Sequence, residues 1–456
     1  MSDKNKPLFS SKIGLIAATV GSAIGLGNVW RFPAETQANG GAAFLLLYTA
    51  CALIVGVPVM VAEFSIGRAG RSDAIGSFSK LSPKSPWWIV GVGGILAAYL
   101  IVCYYMVVAG WTMEYLFASL DGQLFSGLDA AGADRSVFFT SRMQELVCTP
   151  YMPIIFTVLM IINNIFILRA GVQKGIERLS NIMMPILFVI LLIMMVVSLS
   201  LPGSSEGVEF FLKPDYSKID ARTAVNALGQ ALFSLSIGMG ILITYASYYP
   251  ADTKLGKTAV TVSLLSVLVA IMMGLIIFPA VTSFGLEGES LRGATLVFVT
   301  LPEVFANLPL PWLWAALFFL LLYVAALTST ISISEVPIAM LQDRFGLKRR
   351  TAVYTVMLPL LVLSSVCALS FSSMEDIRLF GLTIFELLDT FTTDILLPLV
   401  ALGTVLYMGW GSPKDLLRDQ LSNNGTLRNA MVPWYSFIIK WMAPAAIVAI
   451  VVFNYV

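Results

Sequence analysis

Two Gly-x-Gly motifs, here called glycine steps, lie within apolar stretches of the chain. They are the positions at which we expect the chain to bind a ligand. The first step is Gly25-Leu26-Gly27 and the second is Gly238-Met239-Gly240. Because glycine has no Cβ, a helix can unwind at such a step, and unwinding leaves carbonyl oxygens free for a cation and N–H groups free for an anion. The chain has no histidine, which excludes a Ser-His-Asp triad, a histidine-ligated zinc site and a histidine proton relay.

Membrane-spanning helices are the elements that must position these glycines. Hydrophobic residues make up 58% of the 456 residues and charged residues 12%, whereas soluble domains contain about 25% charged residues. A helix crosses the hydrocarbon core with about 20 apolar residues, and it satisfies its own backbone there. The sequence predicts one all-α membrane domain over residues 1–456 with eleven spans, numbered in chain order: 13–36, 42–68, 88–119, 150–169, 176–200, 222–248, 257–284, 311–341, 350–371, 381–409 and 432–454.

Charged residues in the connections predict how these spans are oriented. Lys and Arg concentrate after spans 2, 4, 6, 8 and 10, for example Arg71 and Lys80, whereas the alternate connections lean acidic, for example Glu206 and Glu209. Because positively charged loops stay in the cytoplasm, the N-terminus is predicted to be cytoplasmic and the C-terminus, after eleven crossings, extracytoplasmic. The net charge of +1 argues against a nucleic-acid partner.

The two glycine steps occupy matching places near the middle of spans 1 and 6. These spans are five apart, an odd number, so the second copy is inverted in the membrane. Paired, interrupted helices of this kind indicate a transporter binding site. A single step is more often a close-packing contact between helices, but two steps in matching places favour unwinding.

The motif Gly-Ser-Ala-Ile-Gly-Leu-Gly-Asn-Val-Trp-Arg-Phe-Pro at residues 21–33 resembles the first-helix signature of the neurotransmitter:sodium symporters. Further segments are similar to that family in the same order, at residues 39–44, 63–68, 229–248 and 327–329. The resemblance covers spans 1 to 10 and implies the leucine-transporter fold of a bacterial amino-acid transporter. In that fold spans 1 and 6 are unwound. Two inverted repeats of five helices, approximately 13–200 and 222–409, precede an extra helix at 432–454.

The resemblance implies a sodium site between spans 1 and 8. Its oxygens would come from the backbone of Gly21, Ile24 and Ala325 and from the hydroxyls of Thr328 and Ser329. Carbonyl and hydroxyl ligands suit a hard cation. Without span 1 beside them, the two hydroxyls would more simply bond back to their own helix.

A second sodium site is implied at the carbonyl of Ala23, the side chains of Asn28 and Ser234, and the substrate carboxylate. In the family, helix 7 adds an Asn or Asp to this site. The matching residue is Ser266, a shorter and weaker ligand. The chain is therefore expected to use one or two Na+ ions.

Chloride dependence stays open at this point. Tyr48, Gln230 and Ser234 match the chloride ligands of chloride-dependent members. Chloride-independent members instead place an acid on helix 7, where this chain has Ala270.

The substrate pocket implied by the resemblance lies between the two breaks. Members that carry amines without a carboxylate have an Asp at the position of Gly25, and glycine instead leaves room for a substrate carboxylate beside the Tyr105 hydroxyl. The expected contacts are Ala23, Gly25, Leu26, Gly27, Ile101, Tyr105, Phe233, Ser234, Ser236, Met239 and Ile333. This largely apolar set predicts a hydrophobic L-amino acid, with an aromatic one as a candidate. Taken alone, Ile101 and Ile333 are ordinary packing residues.

Two charged pairs match the family's gates. Arg31 and Asp389 would close the outer side, and Lys6 and Asp343 the inner side. Glu63 would hold the freed amides of one of the unwound spans. A charged residue at membrane depth is costly, so it is by default a functional hypothesis.

These residues together predict sodium-coupled symport of the amino acid into a bacterial cell by alternating access. The expected location is the cytoplasmic (inner) membrane, and the expected partners are the amino acid, sodium ions and the lipid bilayer. Proton coupling through Glu63 or Glu335 is the nearest alternative, followed by a channel or a substrate sensor on the same fold. An enzyme is disfavoured because no metal-ligand cluster or nucleophile–base pair is evident in the sequence.

Overall fold

The computed structural model of the chain describes residues 6–128, 135–286, 293–428 and 430–455. Within these ranges the chain is mainly helical, and one isolated bridge between Leu379 and Leu382 is the only strand-like pairing. The helices are α1 (Lys12–Ala23), α2 (Gly27–Ala38), α3 (Ala42–Gly70), α4 (Ala74–Leu81), α5 (Trp88–Leu120), α6 (Arg135–Cys148), α7 (Tyr151–Arg169), α8 (Val172–Leu199), α9 (Ser204–Leu212), α10 (Ala221–Ser234), α11 (Ile241–Ala246), α12 (Leu255–Ser283), α13 (Gly293–Ala306), α14 (Pro311–Phe345), α15 (Arg349–Leu369), α16 (Ile384–Gly411), α17 (Leu416–Leu421) and α18 (Val432–Phe453).

The predicted spans correspond to these helices, and each predicted end lies within four residues of a helix end. In the described ranges, nine helices are long and apolar enough to cross a membrane, and the bent pair of α1 and α2 makes a tenth. Span 6 falls on α10 and α11, which are too short to count separately because the chain unwinds between them. The all-helical membrane fold is confirmed, whereas the number of eleven crossings stays a prediction.

The first predicted break lies between α1 and α2, whose directions differ by 53°. Ile24 takes an extended conformation, with φ −92° and ψ 92°, so the chain leaves the helix just before Gly25. It returns to a helix at Gly27, in a π-helical turn. The interruption of span 1 is therefore confirmed.

The second predicted break lies at residues 235–240, between α10 and α11. Ser236, Gly238 and Gly240 have φ angles of 55°, 84° and 70°, in the left-handed region that glycine adopts without steric cost. A Cβ on Gly238 would lie 2.7 Å from the carbonyl oxygen of Leu397, so the close approach of α16 also requires glycine. The Ser236 hydroxyl donates a hydrogen bond of 2.7 Å to the carbonyl oxygen of Ser22, and this bond joins the two breaks.

Burial separates the helices that surround the breaks from those that face lipid. α14 packs along α5, and 83% of its most apolar stretch is buried, against 33% for α7 and for α8. α7 and α8 expose large hydrophobic side chains such as Phe166 and Val196, a surface that a soluble protein rarely leaves in water. α5 and α14 thus form a wall of the central site, while α7 and α8 belong to the lipid-facing surface.

Candidate functional site

A cavity of about 30 Å³ lies between the two breaks. It is lined by Ser22, Ala23, Gly25, Gly27, Ile101, Tyr105, Phe233, Ser234, Ser236, Met239, Ser329 and Ile333. All the predicted substrate residues except Leu26 line it. Leu26 instead lines a larger cavity on the outer side, and its backbone N–H points to Tyr105. Ser22 was not predicted as a lining residue, because its side chain alone does not indicate a binding role. It lines the cavity because of its position beside the break.

The polar end of the cavity is formed by the start of α2 and by Tyr105. The backbone N–H of Leu26 donates a hydrogen bond of 3.0 Å to the Tyr105 hydroxyl oxygen. A Cβ on Gly25 would lie 2.6 Å from Ser329 Oγ and 3.0 Å from Tyr105 Oη, so only glycine leaves space at this point. The positive end of the α2 dipole and the tyrosine hydroxyl both favour an anionic group such as a carboxylate.

The residues predicted for the first sodium site meet where α1 ends against α14. A Cβ on Gly21 would lie 3.4 Å from Thr328 Cβ, and Ile24 follows at the helix end, where backbone carbonyls lose their helical donors. Thr328 Oγ1 donates back to its own helix, with the carbonyl oxygens of Val324 at 3.0 Å and Ala325 at 3.1 Å as acceptors. Its oxygen lone pairs remain available to a cation.

Ser329 gives the clearest sign that this junction suits a cation. Its hydroxyl oxygen is buried and has no hydrogen-bond partner in the described part of the chain. A buried polar group without a partner is rare and needs an explanation, such as an ion or a water molecule. No group of three His, Cys, Asp or Glu side chains that could hold a metal occurs in the described ranges. The oxygen donors present therefore fit a hard, weakly held ion such as Na+.

The residues predicted for the second sodium site form one hydrogen-bonded cluster. The side-chain nitrogen of Asn28 donates to the Ala23 carbonyl oxygen at 3.1 Å and to Ser266 Oγ at 3.0 Å. Ser266 Oγ in turn donates to the carbonyl oxygen of Ser234 at 3.4 Å. The Asn28 side-chain oxygen is buried and lacks a partner in the described structure. Turning this amide over would present that oxygen to a cation among the other ligands.

The residues matched to a chloride site lie beside this cluster. Tyr48 Oη and Ser234 Oγ are 3.0 Å apart, and the Gln230 side-chain nitrogen donates 3.0 Å to the Gly27 carbonyl oxygen. Ala270 is buried on α12.

Glu63 lies on α3, fully buried, and contacts the second break. One of its carboxylate oxygens accepts a hydrogen bond of 2.8 Å from the backbone N–H of Gly238. The other has no partner among the described residues. The N–H groups in the break at 235–240 lack the carbonyl acceptors that a continuous helix would give them. The carboxylate of Glu63 replaces one of those acceptors.

The side of the site that is predicted to face outward is open. A cavity of about 310 Å³ is lined there by both Arg31 and Asp389. The two residues form no ion pair in the described structure. The Arg31 guanidinium instead lies 4.8 Å from the centre of the Phe233 ring and 3.9 Å from a carboxylate oxygen of Glu35. Phe233 lines both cavities and so stands between the outer vestibule and the central site.

The side that is predicted to face the cytoplasm is closed by the N-terminal segment. Lys6 Nζ lies 2.5 Å from Asp343 Oδ2, and burial lowers the pKa of Lys6 although Asp343 opposes this shift. The Phe9 ring packs against the rings of Tyr245, Tyr248 and Tyr249, with centroids 5.8, 6.3 and 6.1 Å away. The structure is therefore closed on the side of Lys6 and Asp343 and open on the side of Arg31 and Asp389.

Two charged contacts on the inner side were not predicted from the sequence. Arg349 donates two hydrogen bonds of 2.7 Å to the carboxylate of Glu335, which also accepts one of 2.9 Å from Tyr248. Glu177 accepts four hydrogen bonds from Ser10 and Ser11. Each contact joins residues on different helices or segments, which explains why no local pattern revealed it. The guanidinium of Arg349 thus balances the charge of Glu335.

Comparisons of the chain with family models and with curated proteins find sodium-dependent transporters or their family, and the comparison with solved structures finds a match over nearly its full length. The model of the family described as "Sodium:neurotransmitter symporter family" matches residues 6–127 and 143–456. YhdH, an uncharacterised sodium-dependent transporter of Bacillus subtilis (strain 168), is 35% identical over 450 residues, which cover 99% of this chain and 98% of that protein. An uncharacterised sodium-dependent transporter of Haemophilus influenzae is 34% identical, covering 99% of each chain. The crystal structure of MhsT in complex with L-phenylalanine has a TM-score of 0.89 and 38% identity, covering 99% of this chain and 100% of MhsT.

Proposed function

The chain belongs to the sodium:neurotransmitter symporter family and is a sodium-dependent membrane transporter rather than an enzyme, and on this premise we propose that it carries a hydrophobic L-amino acid into the cell by symport. Aromatic amino acids are the leading candidates within that class. The transporter would reside in the cytoplasmic membrane of a bacterium, with its N-terminus in the cytoplasm and its C-terminus outside.

The side chains and backbone groups that line the space between the breaks are the observation that carries this proposal. One end presents the Tyr105 hydroxyl and the start of α2 around Gly25, a suitable setting for a carboxylate. The rest is lined by Ile101, Met239 and Ile333 together with Phe233. Side chains of this kind favour an apolar substrate, and the flexible methionine can adapt its shape to several different substrate side chains. MhsT, which is similar over the full length of the chain, has been crystallised with L-phenylalanine.

Alternating access follows from the two gates. An amino acid and sodium would enter through the outer cavity, past Arg31 and Asp389. Phe233 would then close over the site as the two charged residues approach each other. Separation of Lys6 from Asp343, together with withdrawal of Phe9, would open the inner side. The unwound segments supply the points at which α1 and α11 can move without breaking a continuous helix.

Sodium supplies the driving force in this scheme. Each charge that crosses the membrane gains about 2.3 kcal/mol per 100 mV, which corresponds to roughly fortyfold accumulation. The first ion would bind at Gly21, Ile24, Ala325, Thr328 and Ser329. The second would bind at Ala23, Asn28, Ser234 and Ser266 together with the substrate carboxylate. Occupation of both sites would square the accumulation ratio, so the number of ions matters to the energetics.

Uptake into proteoliposomes tests the proposal directly. The twenty amino acids would be compared with an inward sodium gradient and with sodium replaced by choline, at equal membrane potential and pH. We expect hydrophobic amino acids to accumulate only with sodium. Accumulation that is unchanged in choline, or that follows a pH gradient alone, would refute sodium-coupled symport of this class of substrate.

A further inference from the structure

A second concave site lies at the inner mouth of the protein, outside the central cavity and the ion sites. It is a cavity of about 560 Å³ bounded by the N-terminal segment, the corner between α3 and α4, the connection between α7 and α8, and the end of α14. Among the residues that line it, Asp343 is the one acid. Six are basic: Lys6, Arg71, Lys80, Arg169, Lys174 and Arg349.

Part of this positive charge is already balanced. Lys6 pairs with Asp343 and Arg349 with Glu335. Arg71, Arg169 and Lys174, in contrast, have no acidic side chain within ion-pair distance in the described ranges. The cavity therefore contains positive charge that no acidic side chain of the described ranges neutralises by an ion pair.

The general preference for positive charge on the cytoplasmic side explains the sign of these residues but not their arrangement. Arg71 comes from one connection, and Arg169 and Lys174 come from another, yet they face one concavity. Charges of one sign that converge in a cleft focus the field and attract counter-ions. Guanidinium groups also bind the oxygens of phosphate, as those of carboxylate, in a bidentate geometry.

Arg169 lies at the edge of the lipid-facing surface. Its guanidinium is 5.7 Å from the centre of the Phe166 ring, and Phe166 is 64% exposed on α7. Arg169 is also the last residue of α7, a helix long and apolar enough to cross a membrane, so its side chain lies where the hydrocarbon meets the headgroups. A phosphate group held by Arg169 would thus lie at headgroup depth, where basic pockets between helices bind anionic lipids.

We propose that this cavity binds a phosphate-bearing anion, with Arg71, Arg169 and Lys174 as its contacts. Its assignment to the cytoplasmic side rests on the proposed function. A phospholipid headgroup and a free phosphate share this chemistry, and the position of Arg169 favours the headgroup.

Titration of the purified full chain in detergent tests the proposal. The probes are short-chain phosphatidylglycerol, inorganic phosphate and short-chain phosphatidylcholine, at constant ionic strength, with thermal stability as the readout. We expect saturable stabilisation by phosphatidylglycerol and none by phosphatidylcholine, whose headgroup is zwitterionic. Saturable stabilisation by phosphate alone would support the same site with a soluble ligand. Absence of saturation by either anionic probe would overturn the proposal.

A matched pair of double variants separates this cavity from general positive charge. Arg169→Gln with Lys174→Gln should weaken phosphatidylglycerol binding by at least about tenfold. Lys414→Gln with Arg428→Gln removes the same charge elsewhere on the predicted cytoplasmic side and should leave binding unchanged. Arg71→Gln, on the opposite wall, gives an independent test if the first variant does not fold. Equal weakening in both double variants would contradict the proposal. Because the assay contains neither sodium nor an amino acid, its outcome is independent of the transport proposal.

Discussion

The ammonium group of Lys6 lies 2.5 Å from the carboxylate of Asp343, and this contact fastens the N-terminal segment to α14. The corresponding outer residues, Arg31 and Asp389, line an open cavity instead. Under the proposed alternating access, the transport cycle would exchange these contacts. The stability of the pair between Lys6 and Asp343 would then help to set the fraction of molecules that are open to the outside.

Replacement of Asp343 by Asn should shift this balance toward the inner-open form. A hydrogen bond to a charged group contributes about 1.5–3 kcal/mol, so the ratio of the two forms should change by roughly ten- to a hundredfold. We expect weaker sodium-dependent binding of the amino acid, measured at equilibrium with a radiolabelled substrate in detergent.

The control for this prediction is another ion pair of the N-terminal segment. Lys12 lies 3.8 Å from Asp252, and the two side chains are 80% and 73% exposed. Exposed pairs of this kind contribute little, so Lys12→Gln should bind like the unaltered protein. Equal losses in both variants would mean that Lys6 and Asp343 have no special role in the gate.

Ser329→Ala should separate ion binding from protein stability. The Ser329 hydroxyl is buried without a hydrogen-bond partner in the described structure, so its removal should not lower thermal stability in choline. In sodium, a ligand at about a hundred times its Kd stabilises by about 2.7 kcal/mol, and this gain should be lost. Melting temperatures measured in the two salts test both halves of the prediction.

Ser332→Ala is the matched control one turn further along α14. The Ser332 hydroxyl donates 2.7 Å to the Thr328 carbonyl oxygen and accepts 2.8 Å from Tyr245 Oη. Its removal should lower the melting temperature in both salts and preserve the difference between them. A sodium-induced shift that survives in Ser329→Ala would remove Ser329 from the ion site.

The fold could be predicted from sequence because it depends on patterns that occur locally. Apolar length defines the spans, and the steps at Gly25 and Gly238 mark the two breaks. At the second break, the conformation of the glycines then follows from their freedom to adopt positive φ, as the φ of 84° at Gly238 illustrates. The left-handed conformation of Ser236 was not predictable, because it depends on a hydrogen bond to Ser22 more than two hundred residues away in sequence.

The site was less predictable where contacts join distant segments. Glu177 has no local signature, yet it receives the N–H and hydroxyl groups of Ser10 and Ser11. The pairing of Glu335 with Arg349 likewise depends on how α14 packs against α15. A sequence shows that such charges exist within apolar surroundings, but the partner is fixed only by three-dimensional packing.

Gly25→Ala should abolish binding of amino acids while the protein still folds. The added Cβ would lie 2.6 Å from Ser329 Oγ and 3.0 Å from Tyr105 Oη, in the space proposed for the carboxylate. Gly229→Ala provides the control, because a Cβ there meets no atom within 4 Å and alanine favours the helix. Isothermal titration with a hydrophobic amino acid should show binding only in the control. Retained affinity in Gly25→Ala would place the carboxylate elsewhere.

Ser266→Ala should reveal how many ions accompany the substrate. Ser266 Oγ accepts a hydrogen bond of 3.0 Å from Asn28, and its loss removes one oxygen of the proposed second site. If two ions are used, the Hill coefficient for the sodium dependence of uptake should fall from about two to about one. Ser263→Ala, whose hydroxyl bonds to the Ala52 carbonyl oxygen at 3.3 Å on the same helix, should leave it unchanged. An unaltered coefficient in both variants would argue against an ion at Ser266.

Glu63→Gln distinguishes sodium coupling from proton coupling through this residue. The carboxylate of Glu63 accepts a hydrogen bond of 2.8 Å from the Gly238 N–H, and the side-chain oxygen of Gln can accept the same bond while being unable to carry a proton. We expect sodium-driven uptake into proteoliposomes to continue in Glu63→Gln. Glu63→Ala leaves the buried N–H without its partner, which costs about 1–3 kcal/mol, and should therefore lower the melting temperature. A different outcome would identify Glu63 as the carrier of the coupling ion. In that case Glu63→Gln would lose uptake while keeping normal stability, and transport by the unaltered protein would follow the pH gradient.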